Sequence, residues 1–281
     1  MKNYFKIEFE CLCNLDCSYC PSPKFDINLE NVLGNMQMIF SKINPHNSCI
    51  RVEGIGEITL YPEIIDFLNN KVKKEGYLIE VVTNGINCSQ FISKNNALHW
   101  LVSLDGHTVE MNSYRNLSKT QIDEILHTVI KHDLEIQMVY NKQTIEEMNA
   151  FINILKSKNY KGFLHITPCR ANNRLDGYLD YDKLIKTNFI PSEEYFNKWK
   201  YIYENKNRNF VCDFLGNGYV YRIMQHDEGG IRGIKCDCAG GHHGFTYKIT
   251  EDSIENTKYS ELDCGTCINH NEYNNSRKIM Q

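Results

Sequence analysis

Short apolar runs alternate with amphipathic stretches over the first 170 residues of the chain. Six of these runs are rich in branched and aromatic residues, which is typical of β-strands, and they span residues 4–11, 49–53, 78–83, 99–104, 134–140 and 162–167. Between them, apolar residues recur at helical spacing, as in Val32, Leu33, Met36, Phe40 and Ile43 or in Ile122, Ile125, Leu126, Val129 and Ile130. The pattern predicts an α/β protein built from strand–helix units.

Polar residues mark the starts of two of these helices. Ser118 with Gln121, and Thr144 with Glu147, have the spacing of a capping box, in which two side chains satisfy free amides of the first helical turn. Strand–helix units connect parallel strands by right-handed crossovers, which would curl six strands into an open barrel. We therefore expect a partial (β/α)6 barrel whose functional loops follow the carboxyl ends of the strands.

The pattern changes after residue 170. Residues 173–203 are polar and aromatic, and residues 210–225 have the pattern of a β-hairpin turned by Gly216-Asn217-Gly218. We place a boundary near residue 205. The barrel and its connecting helices then occupy residues 1–205, and a small C-terminal cap domain occupies residues 206–281.

Composition excludes several classes of protein. The chain has 281 residues, of which 42% are hydrophobic and 23% charged, as in soluble globular proteins. A net charge of −4 argues against a nucleic-acid-binding protein that acts through a basic face. Residues 1–10 lack the apolar core of a signal peptide, and no later stretch has the length and apolar content of a membrane span. The sequence predicts a cytoplasmic protein with no nucleic-acid or membrane partner.

The chain contains 12 cysteines, which in a reducing compartment are metal ligands, catalytic groups or buried thiols more often than disulfides. Four fall in residues 11–20 and five in residues 212–267, while Cys49, Cys88 and Cys169 are scattered between. The scattered three are expected to be small buried side chains. Cys169 has a second, catalytic interpretation, because it ends the sixth predicted strand at the barrel opening, where its thiol could donate a hydrogen atom to a reaction intermediate.

The first cysteine cluster follows the first strand directly as Cys13-Asn14-Leu15-Asp16-Cys17-Ser18-Tyr19-Cys20. Three thiolates within eight residues can hold three corners of a cubane iron–sulfur cluster. The fourth iron would stay open to a small ligand. The alternatives are a zinc site completed by Cys11 and a set of structural thiols.

This loop resembles the signature of the radical S-adenosylmethionine (SAM) superfamily, with Tyr19 at the usual aromatic position. Further landmarks of the family follow in order between residues 5 and 170. The resemblance implies a radical SAM partial barrel in which a 4Fe-4S cluster on Cys13, Cys17 and Cys20 binds SAM at its open iron. It also implies the cofactor-binding residues Gly54, Gly56, Glu57, Thr83, Asn84, Ser103, Asp105 and Arg115.

Two of these landmarks have specific implied roles. The segment from Gly54 to Glu57 resembles a glycine–glutamate motif that binds the SAM amino group, although Ile55 and Ile58 depart from the family pattern. Arg115 lies where relatives often place an arginine that pairs with the SAM carboxylate. A guanidinium suits that role because its planar fork matches a carboxylate.

The second cysteine cluster resembles the C-terminal SPASM or twitch module of the same superfamily. The resemblance rests on the sequence from Cys238 to Gly241, on a strand-like segment at 245–249 and on a turn at 250–253. It implies an auxiliary 4Fe-4S cluster, while a zinc ribbon remains an alternative. Cys212 and Cys236 compete for one ligand position, and if neither binds, that cluster keeps an open iron; the candidate ligands are Cys212, Cys236, Cys238, Cys264 and Cys267. The adjacent His242 and His243 are expected to be solvated rather than functional.

The resemblance implies an enzyme that receives an electron from a flavodoxin or ferredoxin, cleaves SAM to a 5′-deoxyadenosyl radical and abstracts hydrogen from a substrate carbon. With an auxiliary cluster as electron acceptor, the net reaction would be an oxidation of a small molecule. The alternative enzyme is a peptide-modifying one that epimerises or crosslinks a precursor. A non-catalytic iron–sulfur or zinc-binding protein is the alternative from another class.

Overall fold

The computed structural model describes residues 3–18, 20, 24–92, 97–140, 145–168, 218–224, 230–234, 246–249 and 254–258. Its strands are β1 Asn3–Glu10, β2 Ser48–Ile55, β3 Leu78–Thr83, β4 His99–Ser103, β5 Glu135–Tyr140, β6 Leu164–Pro168, β7 Gly218–Met224, β8 Gly230–Ile234, β9 Thr246–Ile249 and β10 Ile254–Lys258. Its α-helices are α1 Leu29–Ser41, α2 Pro62–Glu75, α3 Cys88–Ile92, α4 Lys119–His132 and α5 Ile145–Ser157. Short 3-10 helices span Pro45–Asn47 and Ile58–Leu60. None of the described helices is long and apolar enough to cross a membrane.

Strands β1 to β6 are all parallel and lie side by side in chain order. Their ends lie within two residues of the six predicted strands, so the predicted α/β fold is confirmed. A strand order without reversal, joined by right-handed crossovers, places all the connecting helices on one face of the sheet. It also brings the carboxyl ends of all six strands to one edge, which is where the predicted site residues lie.

The two faces of the sheet differ in chemistry. On one face, residues such as Ile7, Phe9 and Val52 are fully buried and belong to the same apolar cluster as the inward residues of the helices. On the other face, Lys6 forms ion pairs with Glu8 at 2.8 Å and with Glu53 at 2.5 Å. Arg51 forms a further ion pair with Glu80 on the same face. Charged side chains can be buried on this face because each one is paired with a side chain of opposite charge.

Local sequence sets the ends of the helices. The predicted capping box of α4 is present, since Ser118 and Gln121 exchange side-chain and backbone hydrogen bonds. Helix α2 begins with Pro62 in its first turn and ends at Gly76, whose φ of 74° is left-handed. The other predicted capping box begins at Thr144, which lies outside the described residues.

The C-terminal strands extend the same sheet beyond β1. Strand β7 is parallel to β1 on one side and antiparallel to β8 on the other, and β9 and β10 continue the antiparallel part. Residues 210–217 of the predicted hairpin over 210–225 lie outside the described residues, and the described strand β7 has β1 and β8 as its two neighbours. The predicted strand at 245–249 is confirmed as β9. The predicted boundary near residue 205 falls outside the described residues and stays a prediction.

Candidate functional site

The loop after β1 is held against the ends of β2 and β3. The backbone N–H of Glu57 donates to the carbonyl of Leu12 at 2.8 Å, and Cys11 N–H donates to Ile55 O at 3.3 Å. From β3, the side chain of Asn84 donates to Asn14 Oδ1 at 2.7 Å. These bonds assemble three of the predicted landmarks at the carboxyl edge of the sheet.

The loop is also clamped by residues 114–116 from the segment after β4. Ser18 N–H donates to Tyr114 O at 2.8 Å, and Asn116 Nδ2 donates to Asp16 O at 3.2 Å. Lys24 bonds Asp16 at 2.8 Å on the outer side. Bonds to the cysteine loop therefore run from segments about one hundred residues away in sequence, and they fix the position of its backbone.

The three predicted ligand cysteines are free thiols in this loop. Cys13, Cys17 and Cys20 are each half-buried, and Cys20 N–H donates to Cys17 O at 3.0 Å, which closes a turn between the last two. Cys11 is different, because it is fully buried in the apolar core. Its Sγ packs against Gly54, where an added Cβ would lie only 2.6 Å away. The position of Cys11 in the core gives no support to a zinc site completed by its thiol.

The donor chemistry of the loop fits an iron–sulfur cluster. Burial raises the pKa of the Cys17 thiol to about 11, although the positive charge of Arg115 opposes the shift. Burial also raises the pKa of Cys13, against hydrogen bonds from Leu15 N–H and the Asn84 side chain. Thiols of this kind release their protons when they bind metal. Within the described part of the chain, no three cysteine, histidine or acidic side chains converge on a single metal ion. In a cubane each thiolate binds its own iron, and three cysteine thiols in one loop are the ligand type that such a cluster requires.

Gly56 allows the cysteine loop to approach β2. Its φ is 153°, and an added Cβ would lie 2.2 Å from the carbonyl oxygen of Cys11 and 2.6 Å from that of Leu12. Only a residue without a side chain fits between these backbones. The glycine predicted from the glycine–glutamate motif thus has a packing role that the structure shows directly.

Glu57 is the centre of a buried hydrogen-bond network. Its carboxylate is 1% exposed and accepts four hydrogen bonds from the protein. Oε1 accepts from Thr59 N–H at 3.0 Å and from the hydroxyls of Thr59 and Thr83, each at 2.7 Å. Oε2 accepts from Asn84 N–H at 2.7 Å. Glu57 therefore joins the ends of β2 and β3, and its predicted contact with the SAM amino group stays a prediction.

Asp105 and Arg115 form a buried ion pair at the end of β4. Arg115 Nε donates to Asp105 Oδ2 at 2.8 Å, and the two side chains are 7% and 2% exposed, respectively. The other carboxylate oxygen accepts from Val139 N–H at 2.9 Å, which ties the pair to β5. The positive charge of Arg115 lies close enough to the cysteine loop to oppose the rise in the pKa of Cys17.

Sequence reasoning missed Asn112, which supports this ion pair. Asn112 is completely buried, and its Oδ1 accepts from Asp105 N–H at 3.0 Å. Its Nδ2 donates to the carbonyls of Gly106 at 3.0 Å and Thr108 at 2.8 Å. Its own carbonyl accepts from Arg115 N–H at 2.9 Å. An asparagine in a polar loop looks like an ordinary turn residue, and only its burial distinguishes it.

The remaining predicted residues divide into two groups. Thr83 and Ser103 lie at the ends of β3 and β4, at the same edge as the cysteine loop. The others lie outside the described residues, and their predicted roles stay predictions; they are Tyr19, Cys169, Cys212, Cys236, Cys238, His242, His243, Cys264 and Cys267.

Comparisons with known proteins agree with this arrangement. No family model matches the chain. The chain is 36% identical to neomycin C epimerase of Streptomyces fradiae, a radical SAM enzyme, over an alignment that covers 100% of the chain and 92% of that protein.

Among solved structures, the fold is similar to that of Streptococcus suis SuiB. The TM-score is 0.62 at 13% identity, with 88% of this chain and 63% of SuiB covered. SuiB bound to S-adenosylmethionine gives a TM-score of 0.60, and SuiB bound to its precursor peptide SuiA gives 0.58. The chain therefore spans less than two thirds of the length of SuiB, and at this identity the likeness concerns the fold alone. Full-length similarity to neomycin C epimerase shows that the chain belongs to the radical SAM enzymes.

Proposed function

We propose that this protein is a radical SAM epimerase that inverts one carbon centre of an aminoglycoside-type small molecule. The observation that carries the proposal is the 36% identity to neomycin C epimerase along the whole chain. The three free thiols of the loop after β1 are the residues that would hold its 4Fe-4S cluster. The likeness to SuiB concerns the fold and bears on neither the reaction nor the substrate, because identity to it is only 13%.

When bound, the cluster supplies the electron that cleaves SAM to methionine and a 5′-deoxyadenosyl radical. The chain itself supplies position and charge. Arg115, held by Asp105, offers a cation for the SAM carboxylate beside Cys17. Gly54, Gly56 and Glu57 shape the contact between the cysteine loop and the end of β2. A flavodoxin or ferredoxin is the proposed electron donor, and the need for one fits a cytoplasmic protein with free thiols.

Epimerisation requires two hydrogen transfers on opposite faces of the carbon. The first removes hydrogen from the substrate carbon to form 5′-deoxyadenosine. The second returns a hydrogen atom from a protein donor, which is left oxidised and must regain one electron and one proton. A thiol is the suitable donor, since its hydrogen exchanges with solvent. Cys169 stays the predicted candidate for this role.

Oxidation is the second candidate function, and the C-terminal cysteines favour it. The spacing of Cys264 and Cys267 and the sequence at Cys238 resemble an auxiliary cluster module. A second 4Fe-4S cluster on these residues and on Cys212 or Cys236 would accept the electron left on the substrate carbon. The hydroxyl or amino group on that carbon would then lose a proton, which leaves the substrate oxidised by two hydrogens with none returned. A precursor peptide remains the alternative substrate for either outcome.

Product mass in deuterium oxide separates these functions. The protein is reconstituted anaerobically with iron and sulfide and incubated with SAM, dithionite and neomycin C. Epimerisation adds one deuterium to the inverted carbon, so the product gains one mass unit. Oxidation removes two hydrogens, so the product loses two mass units. Cys17→Ala is the control, and it should give neither product nor 5′-deoxyadenosine. If the wild-type protein forms 5′-deoxyadenosine but leaves the aminoglycoside unchanged, the proposed substrate class is wrong.

A further inference from the structure

Asn84 is the first residue after β3, and its side chain reaches the cysteine loop. The side-chain nitrogen lies 2.7 Å from Asn14 Oδ1 and 3.8 Å from Cys13 Sγ, and both contacts have donor geometry. The residue is 8% exposed, so water does not compete strongly for these bonds. An amide nitrogen carries two hydrogens, and it can therefore serve the oxygen and the sulfur at the same time.

The orientation of this amide is determined by its neighbours. Asn84 Oδ1 accepts from Ile86 N–H at 3.1 Å, which an amide nitrogen could not do. The backbone N–H of Asn84 is held by Glu57 Oε2 at 2.7 Å. Both ends of the residue are thus fixed, and the N–H2 group has to face Cys13.

We propose that Asn84 is a positioning residue that donates an N–H···S hydrogen bond to Cys13 and thereby raises the reduction potential of the cluster. This rests on the proposed function, in which Cys13 is a cluster ligand. Reduction adds negative charge to the cluster and its thiolates, and a donor to sulfur stabilises that charge. The bond makes it easier for the donor protein to reduce the cluster. It is distinct from the contact with SAM that the family resemblance implies for this residue.

The test is the midpoint potential of the reconstituted cluster, measured without SAM by redox titration followed by electron paramagnetic resonance. Asn84→Ser keeps a short acceptor for Ile86 N–H but cannot reach Cys13. We expect the variant to retain the iron content of the wild type. At a fixed potential, its ratio of reduced to oxidised cluster should fall about tenfold, which equals about 59 mV for a one-electron couple.

Asn35→Ala is the matched control. Asn35 is also 8% exposed and donates to another asparagine, Asn31, at 2.6 Å, but it lies in α1. Its substitution should leave the midpoint potential unchanged. A midpoint potential in Asn84→Ser equal to that of the wild type would overturn the proposal. A shift of the same size in Asn35→Ala would overturn it too, because the effect would then reflect general loosening of the fold.

A measurement on the wild-type protein covers the case in which Asn84→Ser takes up no iron. Asparagine labelled with nitrogen-15 at the side-chain amide should give a weak hyperfine coupling to the reduced cluster. Absence of this coupling overturns the proposal whatever the variant does. Failure of the proposed function is recognised separately, since a wild-type protein that binds no iron–sulfur cluster has no midpoint potential to measure.

Discussion

The buried ion pair between Asp105 and Arg115 gives the sharpest stability prediction. Its side chains are 2% and 7% exposed, whereas the pair between Lys119 and Asp123 in α4 is 63% and 56% exposed. Removing one partner of a buried pair costs about 3–5 kcal/mol, because the other charge stays in the interior without its partner. An exposed pair four residues apart in a helix contributes about 0.3–0.5 kcal/mol. We therefore expect Asp105→Ala to lower the free energy of unfolding several times more than Asp123→Ala.

Urea unfolding of the iron-free protein, followed by circular dichroism under reducing conditions, measures both variants. The slope of free energy against urea should stay constant, so that a change in midpoint reports stability. The double variant Asp105→Ala, Arg115→Met should be more stable than Asp105→Ala alone, because no unpaired charge then remains. A loss of less than about 1 kcal/mol in Asp105→Ala would refute the assignment of the pair as a buried, coupled unit.

The same pair links stability to cofactor binding. Arg115→Ala should weaken SAM binding by about 10-fold to 150-fold, since a charge-assisted hydrogen bond contributes about 1.5–3 kcal/mol. Its iron content should match that of the wild type, because Arg115 is not a ligand. Isothermal titration of the reconstituted protein with SAM measures the dissociation constant. An unchanged constant would remove Arg115 from the SAM site.

Three further expectations concern the cysteines and one concerns Glu57. Cys17→Ala should abolish cluster incorporation while Cys11→Ala retains it, and iron content after reconstitution distinguishes them. The variant that lacks all three loop cysteines should keep about four irons if the C-terminal cysteines bind an auxiliary cluster, and zinc or no metal there would contradict the twitch assignment. Burial raises the pKa of Cys88 from 9.0 to about 12. The folded state therefore keeps the thiol proton at pH values where the unfolded state has lost it, so the free energy of unfolding should fall as the pH rises from about 9 to about 12. The Cys88→Ala variant should not show this fall. Glu57→Gln should lower the free energy of unfolding by about 2–3 kcal/mol, because its amide would face a buried N–H, as urea unfolding would show.

The strands of the barrel could be predicted from sequence because their signal is local. Apolar runs and turn residues located β1 to β6 within two residues. The pairing of β7 could not be predicted in this way. The Gly216-Asn217-Gly218 sequence favours a local turn, but the partners of β7 are β8 and the distant β1. Long-range pairing depends on which edges the rest of the fold leaves free, and no short window contains that information.

The candidate site also combines features that the local sequence predicts with features that depend on contacts across the fold. Cys13, Cys17 and Cys20 lie within one loop, so their spacing alone predicts a set of cluster ligands. The sequence indicates a role for Glu57, but two of the four hydrogen bonds to its carboxylate come from Thr83 and Asn84 at the end of β3, which are distant in sequence. The roles of Asn112 and of the Asn84 side chain depend on burial and on contacts across the fold. Neither residue differs in sequence from an ordinary turn asparagine.

The pairing of β1 with β7 has a consequence for the order of folding. Tyr4 is aligned with Gly218, so β1 is synthesised long before the strand that covers its second edge. Contacts of such large sequence separation form slowly, and an uncovered strand edge invites association with other chains. The cysteine loop begins directly after β1. A nascent chain that stops short of β7 therefore carries its three thiols next to an uncovered strand edge, so we expect assembly of the iron–sulfur cluster to follow the addition of β7 to the sheet.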